Sequence, residues 1–215
     1  MKKSLLYLIA WGVLFGYMEA AVVVYLREIY YPDGFTFPLV LIDQNIMLTE
    51  LLREGVTLFI MWTTVSLTYQ RIQSRVAAFF LIFGVWDIFY YVFLKLLLNW
   101  PDTLVSWDIL FLIPLPWVGP VWAPVLISVG FIISSIFILT LNHMNRYVAF
   151  DNKFILLELF AASMIIFSFV MTGHTVIEQN APIHFPLYLF LFGFLLGIGI
   201  FLYYVYRSRQ SVKNK

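Results

Sequence analysis

The sequence predicts an all-α integral membrane protein, a bundle of six transmembrane helices with a proline-rich segment between the third and fourth. Three observations carry that reading. Of the 215 residues, 62% are hydrophobic and only 12% charged, with a mean hydropathy of +0.91, too few polar side chains to cover a water-facing surface. Several apolar runs approach 20 residues, the length that crosses a hydrocarbon core of roughly 30 Å. The runs are continuous rather than alternating, which argues against a β-barrel.

The first span is read over residues 5–26, directly after Met1-Lys2-Lys3. The run is too long for the core of a signal peptide, and no small-x-small cleavage site closes it, so it is read as a retained helix. A polar loop follows, in which Pro32-Asp33-Gly34 marks a turn. The second span is read over residues 48–68. Its clean apolar part begins only at Gly55, so a full crossing draws Arg53 and Glu54 into the membrane. After a short basic loop, the third span covers residues 76–98 and carries Asp87 near its middle. It ends at Asn99-Trp100-Pro101.

The next stretch is apolar but broken by Pro114, Pro116, Gly119, Pro120 and Pro124. Two placements suit it. It re-enters the membrane, which is tolerated only where protein surrounds the backbone, or it lies at the surface with Trp100, Trp107, Trp117 and Trp122 as anchors. The fourth span is read over residues 121–141, the fifth over 154–171 and the sixth over 185–206. A polar loop is expected over 173–184 and a basic tail after Tyr206. The whole chain reads as one polytopic domain.

Lysine and arginine set the orientation. Lys2, Lys3, Arg71, Arg75, Arg146, Lys153, Arg207, Arg209, Lys213 and Lys215 fall on the side of the N-terminus, against Arg27, Arg53 and Lys95 on the other. Both termini are therefore expected in the cytoplasm and the protein in the plasma (inner) membrane. The lipid bilayer is the expected partner. A net charge of +1 gives no case for nucleic acid. With no cysteine there is no disulfide, thiolate metal site or cysteine nucleophile.

Three carboxylates fall inside helices. At 1.5 Å per residue, Glu54 lies about 9 Å below the outer helix end, Glu19 about 11 Å and Asp87 about 16 Å. A charge at that depth costs roughly 2.5–3.5 kcal/mol on insertion scales, so such groups face the protein interior and find partners. Glu19 shares a stripe with Gly12, Gly16 and Arg27; Glu54 shares one with Glu50 and Thr57; Asp87 shares one with Gly84 and Tyr91. These stripes predict one outward-facing polar site built by Glu19, Arg53, Glu54, Asp87 and Tyr91, covered by the proline-rich segment with Asp108.

Such a site suits binding or translocation of a small polar solute or cation. A membrane-embedded enzyme acting on a lipid or isoprenoid-like substrate is the alternative, with Tyr90 and Tyr91 lining the site. Whether the chain is an enzyme stays open, because it has no nucleophile elbow and no glycine-rich phosphate loop. A structural subunit of a membrane complex is the third reading, in which the same charges only fix packing. A divalent metal is a weaker expectation, with Glu19, Glu54, Asp87 and His174 as ligands, since their spacing matches no metal signature. Gly12/Gly16 and Gly193/Gly197 are small-xxx-small pairs, through which a second copy or a complex partner could pack.

Overall fold

The computed structural model describes residues 2–40, 42–113, 115–177 and 184–213. Six helices appear among them. They are α1 (Lys2–Tyr30), α2 (Gln44–Thr68), α3 (Ile72–Leu98), α4 (Trp122–His143), α5 (Asn152–Ile177) and α6 (Leu187–Lys213). Five, all except α2, are long and apolar enough to cross a membrane. The fold is thus consistent with a multi-pass membrane protein. The second span, expected over 48–68, lies in a helix of 25 residues, but Glu50, Arg53 and Glu54 interrupt its apolar run.

Most helices outrun their apolar cores, because hydropathy locates a span and not the polar turns that extend it. The sixth runs on to Lys213, into the expected basic tail. The fifth continues through Gly173 to Ile177, so the expected loop shrinks from its front, and residues 178–183 lie outside the described residues. Gly173 does not end the helix. A Cβ there would overlap the Pro116 carbonyl oxygen, so the residue serves as a contact point.

The segment between α3 and α4 is the main difference from an all-α expectation. It holds two short antiparallel strands, β1 (Trp107–Phe111) and β2 (Trp117–Pro120). Trp107 pairs with Pro120, Asp108 with Gly119, Ile109 with Val118 and Phe111 with Trp117, with a bulge at Leu110. Aromatic and β-branched residues bounded by proline and glycine favour this conformation, but an apolar run this dense hides their alternation.

The hairpin is re-entrant with respect to the helices. Its base lies at the end of the bundle where α3 stops, with Trp107 beside Phe185. Its tip descends to the middle of α2 and α3, where Phe111 meets Phe83 and Trp86. Trp117 stacks on Phe169 of α5, and a Cβ at Gly119 would sit 2.7 Å from that ring. Val118 is fully buried. We refer to this end of the bundle as the hairpin end and to the opposite one as the terminal end.

The core lies nearer the terminal end. Leu8, Met61, Val65, Ala78, Leu81, Ile82 and Val85 pack there from α1, α2 and α3. Glycines let the backbones close. A Cβ at Gly84 would lie 2.7 Å from the Ser128 carbonyl oxygen of α4, and one at Gly16 would lie 2.9 Å from the Trp86 carbonyl oxygen. Gly12 likewise meets Val85, and Gly193 meets the Ala161 carbonyl of α5. Both small-xxx-small pairs thus make close approaches inside the chain.

At the terminal end, Gln73 donates to the Val148 carbonyl and Asn142 to Ser74, tying the helix ends together. Asp151 caps α5 by accepting from the Phe154 backbone N–H at 2.8 Å, and it also accepts from the Tyr204 hydroxyl at 2.9 Å. The Phe154 N–H, then the Tyr204 hydroxyl, hold its carboxyl below the usual carboxylate range. A depressed folded value means that the contribution is present above the unfolded value near 3.8 and is lost as pH falls through the folded one. Asp151→Ala should therefore lower the melting temperature at pH 7, and the difference from wild type should shrink at pH 3. Thermal unfolding in detergent at the two pH values measures this.

Candidate functional site

Glu19, Arg53, Glu54, Asp87 and Asp108, expected to share one site, each have a partner within the chain. Glu19, on the buried stripe of α1, is paired with Arg53 and accepts from the Thr57 hydroxyl, both of α2. Arg53 also grips Glu50, one turn earlier on its own helix, with N–O distances of 2.6 and 3.0 Å. This guanidinium joins α1 to α2 through two carboxylates, a geometry that its planar fork allows.

Glu54 points to the hairpin tip. Its two carboxylate oxygens accept the Leu112 backbone N–H at 2.9 and 3.0 Å. Leu112 sits just past β1, where the ladder can no longer pair its N–H. An orphan N–H at that depth costs about 1–3 kcal/mol, and Glu54 removes the cost. The expected solute-binding carboxylate is therefore occupied as an anchor for the hairpin. Asp87 has a partner on α4, the Ser128 hydroxyl at 2.8 Å, just beyond the close approach at Gly84.

Asp108 was expected on the cover, and it is the residue that fastens it. It is 2% exposed and is paired with Arg27 at 2.8 Å. Trp100 and Phe35 flank that guanidinium, with their ring centroids 3.7 and 4.3 Å from its carbon. The pair is monodentate. Arg27 Nη1 is buried with no hydrogen-bond partner, while Asp108 also takes hydrogen bonds from the Tyr91 hydroxyl and the Ile109 backbone N–H. Tyr91 lies beside Asp108. Tyr90 adjoins Tyr91, their ring centroids 5.0 Å apart.

Five carboxylates, Glu19, Glu50, Glu54, Asp87 and Asp108, thus gather around two guanidinium groups. Below them the interior is closed by Met61, Val65, Leu81 and Val85. The hydroxyls of Thr64 and Thr68, which would line a path toward the terminal end, turn back to the carbonyls of Ile60 and Thr64 on their own helix. The cluster is closed toward the terminal end.

The metal expectation finds no support in this geometry. His174 is exposed near the end of α5, and among the described residues no three metal-ligating side chains gather. Lys95, facing the Asn99 carbonyl at 3.1 Å, closes its own helix and does not join the site. Tyr90, which the sequence offered only as a lining residue of the enzyme alternative, lies one turn beyond Asp87. Sequence reasoning missed Ser128, one of three serines in α4, which nothing in the sequence sets apart from Ser134 and Ser135. The stacking of Arg27 between Trp100 and Phe35 had no local signal, because both partners come from loops.

The chain matches no protein-family model, and no curated protein or solved structure resembles it significantly.

Proposed function

We propose that the protein is a six-span plasma (inner) membrane protein, termini in the cytoplasm, whose outward-facing polar site binds a small polar solute or cation beneath the β-hairpin. One observation carries this reading: the buried guanidinium of Arg27 keeps an unused donor inside a cluster rich in carboxylates. A solute that brings an acceptor would take that donor, and the excess of carboxylates favours positive charge elsewhere on it. The packed core below the site supports binding from one side in this conformation. Translocation would require α1, α2 and α3 to separate around Met61 and Val65.

A specific observation favours a second reading, the structural one. Glu19, Glu54, Asp87 and Asp108 each already have a partner within the chain. In that reading the charges fix how the hairpin seats, and the protein serves as a subunit of a larger membrane assembly. A partner chain would dock elsewhere than on the glycine pairs, which make close approaches inside the chain.

Thermal unfolding of the purified protein separates the two. Wild type and Asp87→Asn would be compared with sodium, magnesium, calcium, choline and guanidinium ions. A binding site predicts that at least one cation raises the wild-type melting temperature by several degrees and that Asp87→Asn loses the response. A destabilised variant with no cation response in either protein would select the structural reading.

A further inference from the structure

We propose a second binding site, at the terminal end between α5 and α6, that takes one phospholipid with an anionic headgroup. A groove of about 500 Å³ opens there, within the roughly 300–1,000 Å³ of ligand sites. Its length is apolar, with Leu157 of α5 facing Leu196 and Ile200 of α6. Its end is cationic, with Lys153 and Arg207 at the mouth. This order of chemistry, an aliphatic channel closed by two cations, matches an acyl chain followed by a phosphate.

Two further details favour the lipid. Gly199 lies in the groove wall, and a Cβ added there would meet no atom within 4 Å, so the space above it is open. Among the described residues Arg207 has one acidic neighbour, Asp151, at 3.9 Å, too long for a strong hydrogen bond, so that pairing leaves its donors available. Asp151 is itself held by Phe154 and Tyr204. Glu158 lies deeper, against Gly197, and is not part of the cationic mouth. On the charge reading this end faces the cytoplasm, where the leaflet surface is negative and basic pockets between helices hold anionic headgroups. The proposal does not depend on the polar site at the hairpin end.

Native mass spectrometry of the full chain in detergent, with phosphatidylglycerol or phosphatidylcholine added, tests it. The wild type should retain one phosphatidylglycerol in preference to phosphatidylcholine. Lys153→Gln with Arg207→Gln should reduce that preference roughly 20-fold, at about fivefold per cation. Gly199→Leu should abolish retention and keep the wild-type melting temperature without lipid, since its side chain enters open space. Equal retention of both lipids, or undiminished phosphatidylglycerol in Gly199→Leu, would overturn the proposal. So would glycerol phosphate competing as well as the whole lipid, or a dimer that Gly199→Leu dissociates, because then a free phosphate or a second copy occupies the groove.

Discussion

Arg27→Met should destabilise the protein by about 3–5 kcal/mol, the largest loss expected from any single change in the polar cluster. The cause is the residue left behind. Asp108 is 2% exposed, and among the described residues Arg27 is its only cationic partner at hydrogen-bond distance. Removing the cation leaves a buried carboxylate whose remaining donors, the Tyr91 hydroxyl and the Ile109 backbone N–H, do not balance its charge. The methionine keeps most of the apolar stem between Trp100 and Phe35, so lost packing is a minor part of the effect. Replacing both partners should recover much of the loss, because Arg27→Met with Asp108→Leu removes the orphan charge as well. Thermal unfolding of the two single variants and the double variant measures the coupling. Additive losses would mean that the pair is not the fastening of the hairpin.

Gly16→Leu should be nearly as damaging, through packing and not charge. A Cβ at Gly16 would lie 2.9 Å from the Trp86 carbonyl oxygen and 3.2 Å from the Tyr90 backbone nitrogen. These are backbone atoms of α3, which cannot rotate aside, so α1 must move as a whole. Overpacking of this kind costs about 1–3 kcal/mol, and a four-carbon side chain against backbone falls at the upper end. The displacement also reaches the site, since Glu19 lies one turn on and must stay in contact with Arg53 and Thr57. Gly199→Leu is the matched control, because it replaces a helical glycine that nothing crowds. A melting temperature for Gly16→Leu within a degree of that control would contradict the close packing of α1 on α3.

Much of this architecture was legible because lipid imposes simple rules. Length and hydropathy located all six helices, and the cost of a buried charge turned Glu19, Asp87 and Arg53 inward. Stripe periodicity placed Gly12, Gly16, Glu19 and Arg27 on one buried face, and all four are buried. The partners were less legible. Arg27 and Asp108 are 81 residues apart, Glu54 and Leu112 are 58 apart, and no local pattern encodes either contact. The hairpin stayed hidden for a different reason. Its strands need their backbone hydrogen bonds completed inside the bundle, and the group that completes one of them, Glu54, reads in sequence as a binding carboxylate. The glycine pairs show the same limit, since small-xxx-small spacing signals a close approach without saying which helix approaches.

The account rests on the hairpin lying inside the bundle as the cover of the polar site. Because the chain has no cysteine, single cysteines report without background. Leu104, 58% exposed at the hairpin base, and Val118, 0% exposed in β2, form the informative pair. Intact cells carrying Leu104→Cys or Val118→Cys would be treated with a membrane-impermeant maleimide. The account predicts rapid labelling of Leu104→Cys and labelling of Val118→Cys only after denaturation. Equal labelling of the two in intact cells would place the hairpin on the membrane surface and contradict the buried site.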